Sequence, residues 1–178
     1  MKLGTPDICD KYKDSLQVAA PVFKSYGGYS SVAAQIETLK VYQNNERFWD
    51  FLRQPGEDRV LFVDAGADYG AVMGDKMADI AIASGWRGMV INGYIRDTAI
   101  LKTLPLAIWA LGSCPMKGTM QAEAESSIPL AFHSLTIKPG DFLYADDDGL
   151  LLASNALTEF DNDFNAEFDS SIAINRKN

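Results

Sequence analysis

The 178-residue chain predicts an α/β fold with a β-rich end, on three observations. Two short continuous apolar runs, Val60-Leu61-Phe62-Val63 and Met89-Val90-Ile91, flank a segment in which Met77, Ile80, Ala81 and Ala83 return at helical spacing. Unalternated runs of this kind are strands covered on both faces, so the middle of the chain reads as a strand, helix, strand unit. Beyond residue 130 the pattern changes to short strands broken by Pro139-Gly140 and by Asp146-Asp147-Asp148. A content of 47% hydrophobic and 22% charged residues fits one ordinary globular domain, residues 1–178, that buries a core without metal or disulfide staples.

Taken in order, Thr5-Pro6-Asp7 opens an amphipathic helix that carries Ile8, Tyr12 and Leu16. Gly27-Gly28 is a turn, 32–42 a strand, and 44–52 a helix with Phe48, Phe51 and Leu52 on one face, ended by Pro55-Gly56. The strand at 60–63 runs into Gly66, and 66–74 reads as a loop with a further glycine at Gly70. A helix starts at Asp75 and stops at Gly85. The strand at 89–91 is followed by an Asn92-Gly93 turn, and 106–111 forms a third strand. Short strands follow at 131–137, 141–145 and 149–153. The tail carries Leu157, Phe160, Phe164 and Phe168 at three- and four-residue spacing, an amphipathic helix over about 155–170.

Charge and composition exclude several functions. A formal net charge of −8 and a sequence pI near 4.6 argue against direct binding of nucleic acid, which needs clustered Lys and Arg. Cys9 and Cys114 are far apart and lack a Cys-x-x-Cys partner, so neither a disulfide framework nor a thiolate zinc site is supported. There is no long apolar run and no signal-peptide pattern, which points to a cytoplasmic protein with no membrane span. Gly66, Gly70 and Gly74 make neither a dinucleotide turn nor a P-loop. The stretch 63–70 is a weak likeness of an S-adenosylmethionine loop, because Asp68 stands where a second glycine belongs.

The chemistry concentrates at one edge of the strand, helix, strand unit. A right-handed crossover puts the ends of both strands on the same edge, so the junction Gly74-Asp75-Lys76-Met77 converges with Arg96-Asp97. The helix start offers unpaired N–H groups and a partial positive charge, a ready carboxylate site. Arg96 offers a planar fork for a carboxylate or an enolate, and Asp97 offers hard oxygen to a hydrated divalent cation. Read singly, each part has a plainer meaning: Asp75 as a helix cap, and Arg96-Asp97 as a surface ion pair. His133 reads as packed within an apolar strand, and Asp146-Asp147-Asp148 as a solvated turn without the spaced oxygens of a calcium loop.

The spacing of Asp75, twenty residues, then Arg96-Asp97 resembles the Asp-x20-Arg-Asp signature of the RraA-like family. That family joins regulator of ribonuclease activity A to the class II pyruvate aldolases, 4-hydroxy-4-methyl-2-oxoglutarate aldolases among them. The resemblance extends through Ile8-Cys9-Asp10, Phe23-Lys24-Ser25-Tyr26-Gly27-Gly28, Val63-Asp64-Ala65-Gly66, Gly88-Met89-Val90-Ile91-Asn92-Gly93 and Pro139-Gly140-Asp141-Phe142-Leu143-Tyr144-Ala145-Asp146. Tyr26-Gly27-Gly28 and Leu143-Tyr144-Ala145-Asp146 look closer to the regulator branch. Non-catalytic regulators lose both acidic site residues, however, and this chain keeps Asp75 and Asp97. Ile100 departs from the family pattern, in which an acidic residue often stands three positions after the second Asp.

The resemblance implies a compact αββ sandwich, swivelling-domain-like, in a ring-shaped trimer or a hexamer of such rings, with the site at a subunit interface. It implies that Asp97 binds Mg²⁺ or Mn²⁺ and that Asp75 orients a water. Arg96 would pair with the keto and carboxylate oxygens of a pyruvoyl group, and Gly74 and the amides of Lys76 and Met77 would cradle its carboxylate. Glu159 or Glu167 would reach a neighbouring subunit's site. The implied activities are aldol cleavage of pyruvate-containing 2-oxo acids and oxaloacetate decarboxylation. The alternative is a non-catalytic regulator that binds and inhibits ribonuclease E.

Overall fold

The computed structural model describes residues 4–41, 45–118, 123–157, 159–160 and 164–165. Along the chain lie α1 (Thr5–Tyr12), β1 (Leu16–Val18), β2 (Lys24–Ser25), β3 (Val32–Val41), α2 (Asn45–Leu52), β4 (Val60–Asp64), β5 (Ala71–Met73), α3 (Asp75–Ala83), β6 (Gly88–Ile95) and α4 (Thr98–Leu101). They continue with β7 (Ala107–Ser113), β8 (Ala124–Ser126), β9 (Leu130–Phe132), β10 (Leu135–Ile137), β11 (Phe142–Ala145) and β12 (Leu150–Ala153). One large sheet runs in the order β1-β12-β11-β3-β4-β6-β7-β2, with β5 added on β6 and β8 on β3; β9 and β10 form a separate hairpin. A large sheet with few helices is the mixed α/β class that the pattern predicts.

Strand β3 is shared by two halves of the sheet. Its first residues pair antiparallel with β11, Val32 opposite Ala145 and Gln35 opposite Phe142. Its later residues pair parallel with β4, Ile36 opposite Val60 and Lys40 opposite Asp64. The parallel half continues through β6 and β7. Val32, Ile36, Phe62, Val90 and Trp109 meet Leu143, Leu152 and the β9–β10 residues Leu130 and Leu135 in one apolar cluster, so both halves bury a face against shared neighbours. The other face of the parallel half buries Leu61, Val63, Met89 and Ile91 against Phe48 and Leu52 of α2 and Met77, Ala78 and Ala81 of α3. Period-2 alternation sends Tyr144 and Leu151 outward to a third cluster with Ile8, Phe160 and Phe164.

Several sequence expectations are corrected. Asn92-Gly93 is no turn: β6 continues through it to Ile95, and the ladder to β7 shifts register between Ile91 and Tyr94. The glycine marks a close approach instead, since a Cβ on Gly93 would stand 3.0 Å from the Ala65 Cβ. The stretch 131–137 is a hairpin, not one strand, and His133 and Ser134 form its turn at φ 48° and 65°. Two left-handed residues between paired strands make a tight turn, but neither is the Asn or Gly that would signal it. His133 Nε2 lies 2.9 Å from Asn92 Oδ1, while Asn92 Nδ2 donates to Asp64 Oδ1 at 2.8 Å. His133 is thus a packed histidine, edge-on to Phe23 at 5.7 Å, in a turn rather than in a strand.

Within 66–74, Ala71–Met73 forms β5 parallel to β6, a strand too short to show periodicity. Leu16 belongs to β1 and not to the first helix. Asp146 does more than face solvent, because its carboxylate accepts the Thr5 N–H and the Thr5 hydroxyl, each at 2.7 Å, and so holds the start of α1. Of the tail helix expected at about 155–170, Phe160 and Phe164 are described and buried; Phe168 and Glu167 lie outside the described residues. No helix among the described residues is long and apolar enough to cross a membrane.

Candidate active site

Strand β5 and the end of β6 carry the site. Gly74 follows β5 and caps α3 from an extended conformation, φ −150° and ψ −166°. Asp75 is therefore the first helical residue and not the cap, a correction to the plainer sequence reading. Its Oδ1 accepts the Lys76 N–H at 2.7 Å, and the Met77 N–H donates to the Gly74 carbonyl at 3.2 Å. The two amides that the resemblance assigns to a substrate carboxylate thus have internal partners, which an entering anion would replace at Lys76.

Arg96 continues the β5–β6 pairing by one bond, its N–H donating to the Met73 carbonyl at 3.0 Å. The chain then turns at Asp97, which sits in the left-handed region at φ 60° and ψ 31°, and its carbonyl accepts the Ile100 and Leu101 N–H groups of α4. Asp is among the few non-glycine residues that tolerate this conformation, and residues held in it cluster at functional sites. The turn points the carboxylate back over the helix start. Asp97 Oδ2 lies 3.4 Å from the Asp75 amide nitrogen and 3.5 Å from Arg96 Nε. A Cβ on Gly74 would stand only 2.3 Å from that same Oδ2, so glycine leaves the space that the carboxylate fills. The structure brings Gly74, Asp75, Lys76, Met77, Arg96 and Asp97 together, through the convergence that the crossover argument requires.

A cavity of about 120 Å³ opens here, lined by Trp49, by 71–77, by Arg96 and by Lys117. Sequence reasoning missed Trp49 and Lys117. Trp49 carried only the signal of an amphipathic helix, and Lys117 none. Larger clefts exist: one of about 540 Å³ beside Arg47, Phe51 and Glu125, and one of about 400 Å³ beside Cys9, Phe23 and Trp109. We place the site at the smaller cavity because convergent charged groups mark a site better than size does.

Among the described residues no three His, Cys, Asp or Glu side chains cluster as a metal cage. The donors present are the carboxylates of Asp97 and Asp75, both oxygen. Mg²⁺ and Mn²⁺ suit such a set, since hard cations are commonly held by one or two carboxylates with water and substrate completing the shell. Glu159 lies elsewhere: Lys11 Nζ donates to its Oε1 at 2.8 Å and the Tyr12 hydroxyl donates to the same oxygen. Those two donors hold the Glu159 carboxyl below its ordinary range.

A protein of Laribacter hongkongensis named as a candidate 4-hydroxy-4-methyl-2-oxoglutarate aldolase is 41% identical over 158 residues, 88% of this chain and 99% of its own. A protein of the same name from Ectopseudomonas mendocina is 39% identical, covering 86% of this chain and 96% of its own. Among solved structures, the RNA-processing inhibitor RraA of Thermus thermophilis matches with TM-score 0.82 and 35% identity over 89% of this chain and 96% of that one. A Geobacillus kaustophilus protein described as S-adenosylmethionine:2-dimethylmenaquinone methyltransferase matches with TM-score 0.81 and 35% identity, covering 88% of this chain and 98% of that one. The RraA-like profile, Aldolase/RraA, matches residues 5–152, and the chain belongs to that family.

Proposed function

We propose that this chain is a divalent-metal-dependent lyase that cleaves 2-oxo acids containing a pyruvate unit. The observation that carries the reading is the convergence of Arg96 and Asp97 on the Gly74–Asp75 helix start, beside a small cavity that Arg96 and residues 74–77 line. The names of the curated relatives support 4-hydroxy-4-methyl-2-oxoglutarate as one substrate type. Oxaloacetate is a second, because loss of CO₂ from its β-carboxylate leaves the same pyruvate enolate.

Asp97, with Asp75 beside it, would hold Mg²⁺ or Mn²⁺, which when bound supplies Lewis-acid polarisation of the 2-oxo group. Arg96 pairs with the keto and carboxylate oxygens and stabilises the negative charge that grows on the enolate. The N-terminus of α3 holds the carboxylate through the Lys76 amide, once the Asp75 carboxylate gives it up, and the Met77 amide, which also donates to the Gly74 carbonyl, adds its dipole. Asp75 orients the water that accepts the C4 hydroxyl proton as the C3–C4 bond breaks, after which a proton returns to C3. Pyruvate should form from oxaloacetate only with Mg²⁺ or Mn²⁺ present, and EDTA should abolish it. Equal rates with and without chelator would sink the reading.

A trimer or hexamer forms part of the proposal. Phe160 and Phe164 do not support it, because both are covered within the chain. Support comes from Tyr69, Ile100 and Met116, large apolar side chains that are exposed and that flank the site segments in sequence, and that a neighbouring subunit would cover. Light scattering at micromolar concentration should report three or six chains; a monomer would contradict it. A second reading, a regulator of ribonuclease E, is favoured by the likeness to the RNA-processing inhibitor RraA, and the two readings are compatible in one protein.

A further inference from the structure

Both arms of the site leave the sheet beside one buried polar side chain. Asn92 lies in β6 opposite Asp64, the last residue of β4, and is only 6% exposed. From Asn92 the chain runs along β6 to Arg96, and from Asp64 it turns through 65–70 into β5 and reaches Gly74. Neither Asn92 nor His133 lines the cavity at α3.

Asn92 is bonded to that turn by main chain and side chain together. Its carbonyl accepts the Ala65 N–H at 3.1 Å and the Ala67 N–H at 3.3 Å, and its Nδ2 donates to Asp64 Oδ1 at 2.8 Å. The same Asp64 oxygen accepts the Gly66 N–H at 3.1 Å, within a turn that holds Gly66 and Ala67 at φ 76° and 58°. On its other side Asn92 Oδ1 faces His133 Nε2 at 2.9 Å. The polarity of this chain of groups is fixed. An ionised carboxylate only accepts, so the Asn92 amide nitrogen faces Asp64, its oxygen faces His133, and His133 carries a proton on Nε2. The register of β6 against β7 shifts between Ile91 and Tyr94, so the clamp grips the strand where it is re-aimed ahead of Arg96. Strand β5 has three residues and its own pairing to β6 is irregular, which leaves it a poor gauge of the distance between the two arms.

We propose that Asn92, clamped between Asp64 and His133, is a positioning residue that sets the separation of the Arg96-Asp97 turn from the Gly74–Asp75 helix start. The inference rests on the lyase reading only for the loss of turnover. The geometry it concerns, Asp97 Oδ2 at 3.4 Å from the Asp75 amide nitrogen, exists apart from any reaction. Removing the Asn92 amide cuts the side-chain tie between the arms, so Gly74 and Asp75 shift against Arg96 and Asp97.

Asn92→Ala should lower kcat for pyruvate release from oxaloacetate, per folded chain, by on the order of tenfold or more, since a displacement of about 1 Å at the chemistry costs on the order of 10²-fold. Asn92→Asp sets two carboxylates against each other and should be as costly. Adding Asp64→Asn to it restores a donor between the two side chains, keeps an acceptor for His133, and should recover most of the rate. Amide ¹⁵N–¹H spectra in the same Mg²⁺ buffer, without substrate, read the geometry itself. In Asn92→Ala the Asp75 and Lys76 resonances should move together with those of Ala65 and Ala67, and the rescued double variant should return them. His133→Asn accepts the left-handed φ of 48° but is too short to reach Asn92, so it should show the same pattern more weakly and serves if Asn92→Ala fails to fold. Wild-type kcat in the folded variants, or resonance changes confined to 65–67, would overturn the assignment. If wild-type protein releases no pyruvate, the lyase reading fails and the spectra alone decide the positioning role.

Discussion

Replacing Asp97 by Asn should lower metal-dependent pyruvate release by on the order of 10²-fold or more, comparable to losing one main electrostatic stabiliser. The substitution isolates charge. Asn is the other short polar residue that accepts left-handed backbone, so the φ of 60° at this position survives it. Hydrogen bonding from the Asp75 amide, 3.4 Å from Oδ2, survives as well if the amide oxygen takes that place. The anionic oxygen that a hard divalent cation requires does not. Mg²⁺ affinity by calorimetry should fall together with kcat, while circular dichroism and oligomeric state stay as in wild type. If wild type and Asp97→Asn release pyruvate at the same background rate and binding to ribonuclease E is measurable, the chain is a regulator and the lyase reading fails.

Gly74→Ala should be nearly as damaging, although it removes no functional group. The φ of −150° at Gly74 is extended backbone that alanine adopts freely, so the cost is steric and local. The new methyl would stand 2.3 Å from Asp97 Oδ2 and 3.3 Å from Arg96 Cγ. Either the carboxylate or the helix start must shift. Displacement of a catalytic group by about 1 Å costs on the order of 10²-fold in rate. The atoms that the methyl would meet belong to the partly exposed side chains of Asp97 and Arg96, so the stability cost falls below the ~1–3 kcal/mol of overpacking a core. The diagnostic pattern is a large loss of kcat/KM with Mg²⁺ affinity reduced and secondary structure kept. Wild-type turnover in Gly74→Ala would show that Asp97 can leave its place over the helix start without consequence, which the proposed chemistry does not allow.

Much of the site was legible because its parts obey long-range rules. Strand 60–63, helix 75–83 and strand 89–91 carry strong periodic signals, and the crossover then puts residues 74–77 and 96–97 at one edge of the sheet, although the strand that sets their pairing, β5, gives no signal. Trp49 and Lys117 were not legible, since each enters through tertiary placement: Trp49 on a face of α2, Lys117 by bridging to Ala71 across a strand of three residues. The errors at Asn92-Gly93 and at His133-Ser134 share one cause. Turn chemistry was read from residue type alone, yet an Asn-Gly pair can serve a bulge under close packing, and His and Ser can occupy left-handed positions when the partner strands hold them there. The branch question within the family behaved differently. Tyr26-Gly27-Gly28 and Leu143-Tyr144-Ala145-Asp146 suggest the regulator branch, whereas the relatives at 41% and 39% identity carry the aldolase name, and it is the site residues that bear on chemistry.

The division of β3 between two partners also dictates an order of events during synthesis. Its C-terminal half, Ile36 to Lys40, meets β4 soon after the ribosome releases it. Its N-terminal half, Val32 to Gln35, waits for β11, which emerges far downstream. Strands β4, β6 and β7 are all made within that interval, and they carry Asp75 and Arg96-Asp97 between them. A nascent chain thus holds the strands of its site before it can close its own edge, and an open edge of Val32, Ala33 and Ala34 is the kind of surface on which strands from other molecules assemble.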